Sequence, residues 1–150
     1  MKYLLDTCVI SELVTKTPNP QVVGFVDSLQ PDDVFLSVIT IGEIMKGIEK
    51  LPRSVRKGEL RTWLHEDLLV RFDGRIFPLD TDVLMEWGKL TALTEAAGNP
   101  MPAIDSLLAA TVLTHELTLI TRNVSDFERA GIEIVNPWNE ESNVSASPSP

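Results

Sequence analysis

Five short apolar runs alternate with longer segments of helical periodicity along this chain, and that alternation restricts its fold more than any other feature. The runs are Lys2–Asp6, Val34–Val38, Ile76–Leu79, Leu117–Thr121 and Ile132–Val135. Each is short for a helix and lies next to turn-forming or capping residues, the pattern of a buried strand. Between the first two, Pro18 and Pro20 open a helix carrying Val22, Val23, Phe25, Val26 and Leu29. Thr40 is placed to cap another, with Ile41, Ile44, Met45, Ile48 and Leu51 on one side and Pro52 as its stop. A third helix is predicted over residues 54–71. Thr81 opens a fourth with Val83, Leu84, Trp87, Leu90 and Leu93 at helical spacing, ended by Gly98-Asn99-Pro100. Pro102 starts a fifth, in which Ile104, Leu107, Leu108, Val112 and Leu117 are expected to face inward, and Asn123 to Ala130 holds one or two further turns. Strands separated by helices give an α/β domain with a central, mostly parallel sheet flanked by helices.

At 150 residues, 43% hydrophobic, the chain is the size of one domain able to bury a core without covalent staples. Residues 1–138 read as that domain. Periodicity ends after Trp138, and residues 139–150, rich in Ser and Pro, read as a disordered tail. The single Cys8 excludes an internal disulfide framework and suits a reducing compartment. The opening Tyr3-Leu4-Leu5 is broken at once by Asp6, unlike a signal peptide, and no apolar stretch is long enough to span a bilayer. The expectation is a cytoplasmic protein with no membrane partner.

A net charge of −9 argues against binding nucleic acid through the field of the whole molecule. The basic residues are nevertheless bunched. Lys46, Lys50, Arg53, Arg56, Lys57 and Arg61 are opposed only by Glu49 and Glu59 in their segment. That is either a local basic patch or a solvated helix face.

Four carboxylates stand out of place. Asp6 closes an apolar strand, and Glu43 falls at the start of the helix that follows the second strand. Asp105 opens the Pro102 helix, and Asp126 follows the Leu117–Thr121 strand by a short turn. In a parallel sheet, strand ends and the helix starts after them share one edge, where ligands bind. Carboxylates gathered there raise each other's pKa unless a cation intervenes. An all-oxygen donor set with no nearby His favours Mg²⁺, with Mn²⁺ as a substitute, over Zn²⁺. His65 and His115 have no ligand-like spacing. Plainer roles exist as well: Glu43 and Asp105 suit helix dipoles, and Asp126 suits a helix cap. Asp6 is the hardest to explain without a partner.

Taken together these segments resemble the VapC toxins, a family of PIN-domain endoribonucleases. The resemblance is carried by Tyr3-Leu4-Leu5-Asp6-Thr7 with Ser11-Glu12-Leu13, by Leu36-Ser37-Val38-Ile39-Thr40-Ile41-Gly42-Glu43-Ile44 and by Gly47. It continues through Ile104-Asp105-Ser106-Leu107-Leu108-Ala109-Ala110, Leu117 to Asn123, Asp126-Phe127, Gly131 and Asn136-Pro137-Trp138. It implies a PIN-like fold and a metal site formed by Asp6, Glu43, Asp105 and Asp126, with Asp6 and Asp105 most directly tied to Mg²⁺. Thr7, Ser37, Thr121 and Asn123 would orient ligands or metal-bound waters. An RNA substrate, a small cognate antitoxin and a homodimer are implied likewise.

Two positions depart from the family pattern. Cys8 stands where many relatives have Asn, and reads as a small core residue. Asn123 stands where some PIN domains carry another acid, which leaves Asp126 as the fourth carboxylate. The alternatives to a Mg²⁺-dependent endoribonuclease are a non-catalytic PIN-domain interaction module and, more remotely, a phosphatase with Asp6 as nucleophile. The phosphatase lacks a second Asp beside Thr7-Cys8.

Overall fold

The computed structural model describes residues 1–139. Except for Asn139, the tail expected over residues 139–150 lies outside them. Within the described residues, β1 (Tyr3–Leu5), β2 (Val34–Ser37), β3 (Ile76–Phe77), β4 (Thr118–Ile120) and β5 (Ile134–Val135) form one sheet in the order β3-β2-β1-β4-β5. Every neighbouring pair is parallel, with Leu4 level with Phe35 on one side and Leu119 on the other. Successive strand residues face opposite sides. Leu5, Leu36 and Ile120 therefore join one core layer, and Leu4, Phe35 and Leu119 the other. A parallel sheet covered on both faces needs such unbroken apolar strands.

Helices α1 (Thr7–Val14), α2 (Pro20–Asp27), α3 (Val38–Glu49) and α4 (Val55–Trp63) follow the first two strands. α4 passes through a π-helical segment (Leu64–Leu68) into α5 (Leu69–Arg71). The inward residues of this group, among them Val9, Ile10, Val22, Ile44, Ile48 and Leu64, pack with Leu5 and Leu36. The other layer is built on α6 (Thr81–Ala96), α7 (Ala103–His115) and the short α8 (Val124–Phe127).

The α/β class and the five strands agree with the sequence reading; several details do not. Helix α1 was not anticipated, because Asp6 reads as the end of a strand when it is also the N-cap of a helix. The cap of α3 is Ser37 rather than Thr40, whose side chain is wholly buried in the first turn. Glu43, expected in that first turn, therefore sits in the second. Asp80 rather than Thr81 caps α6. Ile104, expected inside, is 47% exposed. The inner face of α7 is built of smaller groups (Ser106, Ala109, Ala110 and Thr111 beside Leu108 and Val112), which lets α6 approach closely.

Candidate active site

Parallel strands deliver their exits to one edge of the sheet, and the four out-of-place carboxylates lie at that edge. Asp6 follows β1 directly and is only 8% exposed. Glu43 stands on α3, entered straight from β2, and Asp126 stands on α8, entered by a short turn from β4. Asp105 is in the first turn of α7 and is half-buried. Their charges are felt mutually. Burial first, and then the negative charges of Asp126, Asp6 and Glu43, hold Asp105 above its ordinary pKa of 3.8, with Arg129 opposing weakly. Burial likewise raises Asp6, against the hydrogen bonds from Thr121 and Thr7, with the Glu43 charge adding to the rise.

The buried carboxylate is held from both sides. Its Oδ1 accepts the Thr7 backbone N–H at 2.8 Å, which caps α1, and its Oδ2 accepts the Thr121 hydroxyl at 2.8 Å. Thr121 Oγ1 in turn accepts the Asn123 backbone N–H at 3.0 Å. The Asp6 N–H reaches Ile120 O across β4, so strand register fixes this geometry before any side chain acts. On the other flank the Thr7 hydroxyl donates to Glu43 Oε1 and lies 3.1 Å from Thr40 Oγ1. A run of backbone amides and hydroxyls thus ties α8's start, β4, β1, α1 and α3 to one another through Asp6, Thr7 and Glu43.

Of the four polar neighbours, Thr7 and Thr121 touch carboxylates directly. Ser37 caps α3 through the Ile39 N–H at 3.0 Å, and Asn123 contributes its backbone. Asp126 makes no cap bond, so the helix-cap explanation of its presence is not what the structure contains. Sequence reasoning passed over two groups. Thr40 touches Thr7 from a buried position, and Ser106 accepts Trp87 Nε1–H at 2.8 Å beside Asp105, pinning α7 to α6. A hydroxyl inside an otherwise apolar helical face is the signal that would have found both. Cys8 is half-buried, its Sγ 3.9 Å from Asp6 Oδ2 and 3.6 Å from Thr121 Oγ1. Burial and the Asp6 charge push its thiol upward, keeping it protonated and neutral as a packing group. His115 stacks on Phe77 with ring centroids 3.9 Å apart, while His65 is exposed on the π-helical segment. An apolar cleft of about 490 Å³ lined by Ile10, Leu13, Val26, Trp63 and Phe72 holds none of the four carboxylates.

Among the described residues no three His, Cys, Asp or Glu side chains stand ready-made around one ion. The donors converge without closing. Only Asp6 is fixed on both oxygens, whereas Glu43 is exposed and held through Oε1 alone and Asp126 is exposed. An oxygen-only set of mutually repelling carboxylates, partly open to water, fits a hard divalent cation that keeps several waters.

The family model for the PIN domain matches residues 3–133. Toxin FitB of Neisseria gonorrhoeae is 37% identical over 91% of this chain and 99% of its own length. The chain belongs to the VapC-type PIN-domain toxins. VapC ribonuclease Y4jK of Sinorhizobium fredii is 33% identical to this VapC-type chain, over 90% of it and 96% of the relative. Among solved structures, FitAcB from Neisseria gonorrhoeae superposes with a TM-score of 0.87 at 37% identity, covering 91% of this chain and 99% of that one. A toxin–antitoxin complex from Klebsiella pneumoniae gives 0.65 at 28% identity over 91% and 98% of the two chains.

The raised pKa values of Asp6 and Asp105 carry a consequence for stability in this VapC-type fold. A carboxyl whose folded pKa lies above its unfolded one holds its proton more tightly when folded. Metal-free stability therefore falls as pH rises from the unfolded value, near 3.8, through the raised folded values. The penalty is therefore larger at neutral pH than near the unfolded value. Asp105→Asn, by removing one charge, is expected to melt higher than the parent in EDTA at about pH 7, the gap closing towards about pH 4. Equal melting curves across that range would show that the carboxylates do not repel.

Proposed function

We propose that this chain is a Mg²⁺-dependent endoribonuclease toxin that hydrolyses RNA phosphodiester bonds and is held in check by a small cognate antitoxin. The observation that carries the reading is the convergence of Asp6, Glu43, Asp105 and Asp126, from four separate elements, into one shared field at the sheet edge of a VapC-type fold. In this reading Asp6 and Asp105 hold the principal ion, Glu43 and Asp126 complete its surroundings, and Mn²⁺ substitutes. Such an ion, when bound, supplies the positive charge that a phosphodiester meets and lowers the pKa of a coordinated water.

The chain's own residues do the positioning. Thr121 and the Thr7 N–H hold the Asp6 carboxylate in one orientation, so its lone pairs face the site without reorganisation. The Thr7 hydroxyl steadies Glu43, which is exposed and suited to accept a proton from water. Ser37 fixes the start of α3, on which Glu43 rides, and Asn123 anchors the turn that carries Asp126. In this reading the protein acts in the cytoplasm, and as a homodimer. Among the described residues no helix is long and apolar enough to cross a membrane. The antitoxin is supported by the likeness to the toxin–antitoxin complex from Klebsiella pneumoniae.

Purified protein freed of partner is expected to cut RNA in Mg²⁺ and to stop in EDTA. Millimolar Mg²⁺ should also raise the melting temperature, since an ion binding only the folded state stabilises it by mass action. One observation favours the rival, a non-catalytic interaction module: both Asp6 oxygens already have protein donors. The module predicts neither cleavage nor a Mg²⁺-dependent shift, and finding neither would overturn the nuclease.

A further inference from the structure

The basic segment that the sequence left unresolved divides in the structure into two classes. Arg56 donates to Val14 O at 2.9 Å, Lys57 to Glu49 O and Leu51 O at 3.0 Å each, and Arg61 pairs with Glu49 at 2.8 Å. These three bind α3, α4 and the end of α1 together and are spent on the fold. The side chains of Lys46 and Lys50 are exposed and make no ion pair or hydrogen bond among the described residues. Lys46 lies on α3 and Lys50 caps its end in helical backbone conformation, three and seven residues beyond Glu43, which puts the three side chains on one helix face.

That face borders an open depression of about 530 Å³ whose lining includes Ile39, Glu43, Lys46, Lys50 and, across from α3, Ile104. Ile104 immediately precedes Asp105 and is 47% exposed. The depression therefore reaches the carboxylate cluster through Glu43, and Ile104 on its other wall is the neighbour in sequence of Asp105. Gly42 and Gly47 also line it, and a Cβ at either would meet nothing within 4 Å. Glycine inside a helix weakens it relative to alanine. No contact within the chain requires that weakness here, and its effect is to leave helix backbone bare along the floor.

Resting on the ribonuclease reading, we propose that this depression is the RNA-strand subsite of the same site. Lys46 and Lys50 hold phosphates flanking the one at the carboxylates, and a base lies against Ile39 and Ile104. Charge decides the occupant. On a chain of net charge −9, a site walled by carboxylates repels a polyanion unless cations stand beside it, and these two are unspent. Four residues of helix advance about 6 Å, the scale of one nucleotide step in an extended strand. Bare backbone at Gly42 and Gly47 lets the sugar–phosphate chain approach closely.

The test uses the full chain in an Asp6→Asn background with Mg²⁺, so that binding is read without cutting. The probe is a fluorescein-labelled, unstructured oligoribonucleotide followed by anisotropy across a salt series. Lys46→Ala with Lys50→Ala is expected to weaken binding about tenfold and to reduce the slope of log K against log salt by about 1.4, two single-strand phosphate contacts' worth. Arg53→Ala, equally exposed but outside the depression, should change neither. Gly47→Ala should melt higher than its parent yet bind RNA more weakly, a pairing that a purely structural role for the glycine does not produce. In a chain with Asp6 intact, the double lysine variant should raise KM with kcat little changed. Undetectable binding by the parent, or affinity and salt slope unmoved by the double substitution, overturns the proposal. So does a double variant that binds RNA normally but loses antitoxin binding or alters the oligomeric state. Lysine-dependent binding without cleavage by the unsubstituted chain would remove the ribonuclease reading and leave the strand subsite standing.

Discussion

Asp6→Asn is expected to lower Mg²⁺-dependent RNA cleavage by roughly a thousandfold or more while leaving the protein folded. The substitution keeps shape and removes charge. The amide oxygen still accepts the Thr7 N–H, so the cap of α1 survives. The amide nitrogen faces Thr121 Oγ1, which turns from donor to acceptor and already accepts from Asn123. The fold therefore tolerates the change, and a buried carboxylate held above its ordinary pKa is gone. Metal-free melting temperature should stay level or rise, in opposition to activity. A cleavage assay on end-labelled RNA and a melting curve on the same preparation separate the two effects. Residual cleavage within about tenfold of the parent would mean that Asp6 is a cap and nothing more.

The strands were legible because burial on both faces leaves no room for polar residues, so Leu4-Leu5, Leu36 and Leu119-Ile120 announce themselves as apolar runs. The placement of Asp6 was legible for the same reason, since a carboxylate closing such a run is costly and calls for partners. What stayed hidden was whatever depends on small or shared groups. Helix α1 begins inside an apolar stretch, and its only start signal, Asp6, also reads as the end of the strand. Ile104 was expected inside because large apolar residues were counted, whereas α7 turns Ala109, Ala110 and Ser106 inward to meet α6. The donors to Asp6 and Glu43 from Thr121 and Thr7 cross 115 and 36 residues of sequence, and only sheet register brings them together. The basic patch is the clearest case. Composition showed its existence, but which lysines are free is decided by where Glu49 and the carbonyls of Val14, Glu49 and Leu51 lie.

Phe127→Ala is expected to destabilise the protein by about 3–5 kcal/mol and to lower its melting temperature by about 10 °C. Phe127 heads the fully buried side chains by volume and packs in the layer that contains Leu4, Leu108, Leu119 and Ala130. It is also what holds α8 in place. That helix has four residues and no side-chain cap bond, so it has no stability of its own. With the ring removed, α8 loses its anchor, and Asp126, the residue beside it, loses its relation to Asp105. Cleavage should accordingly fall at temperatures where the variant is still folded by circular dichroism, with the Mg²⁺ dependence shifted to higher concentration. Asp126→Asn separates the two contributions: it should impair cleavage comparably while melting at or above the parent, since the first charge acting on Asp105 is removed. Full activity in a folded Asp126→Asn variant would take Asp126 out of the site and leave Phe127 as a core residue only.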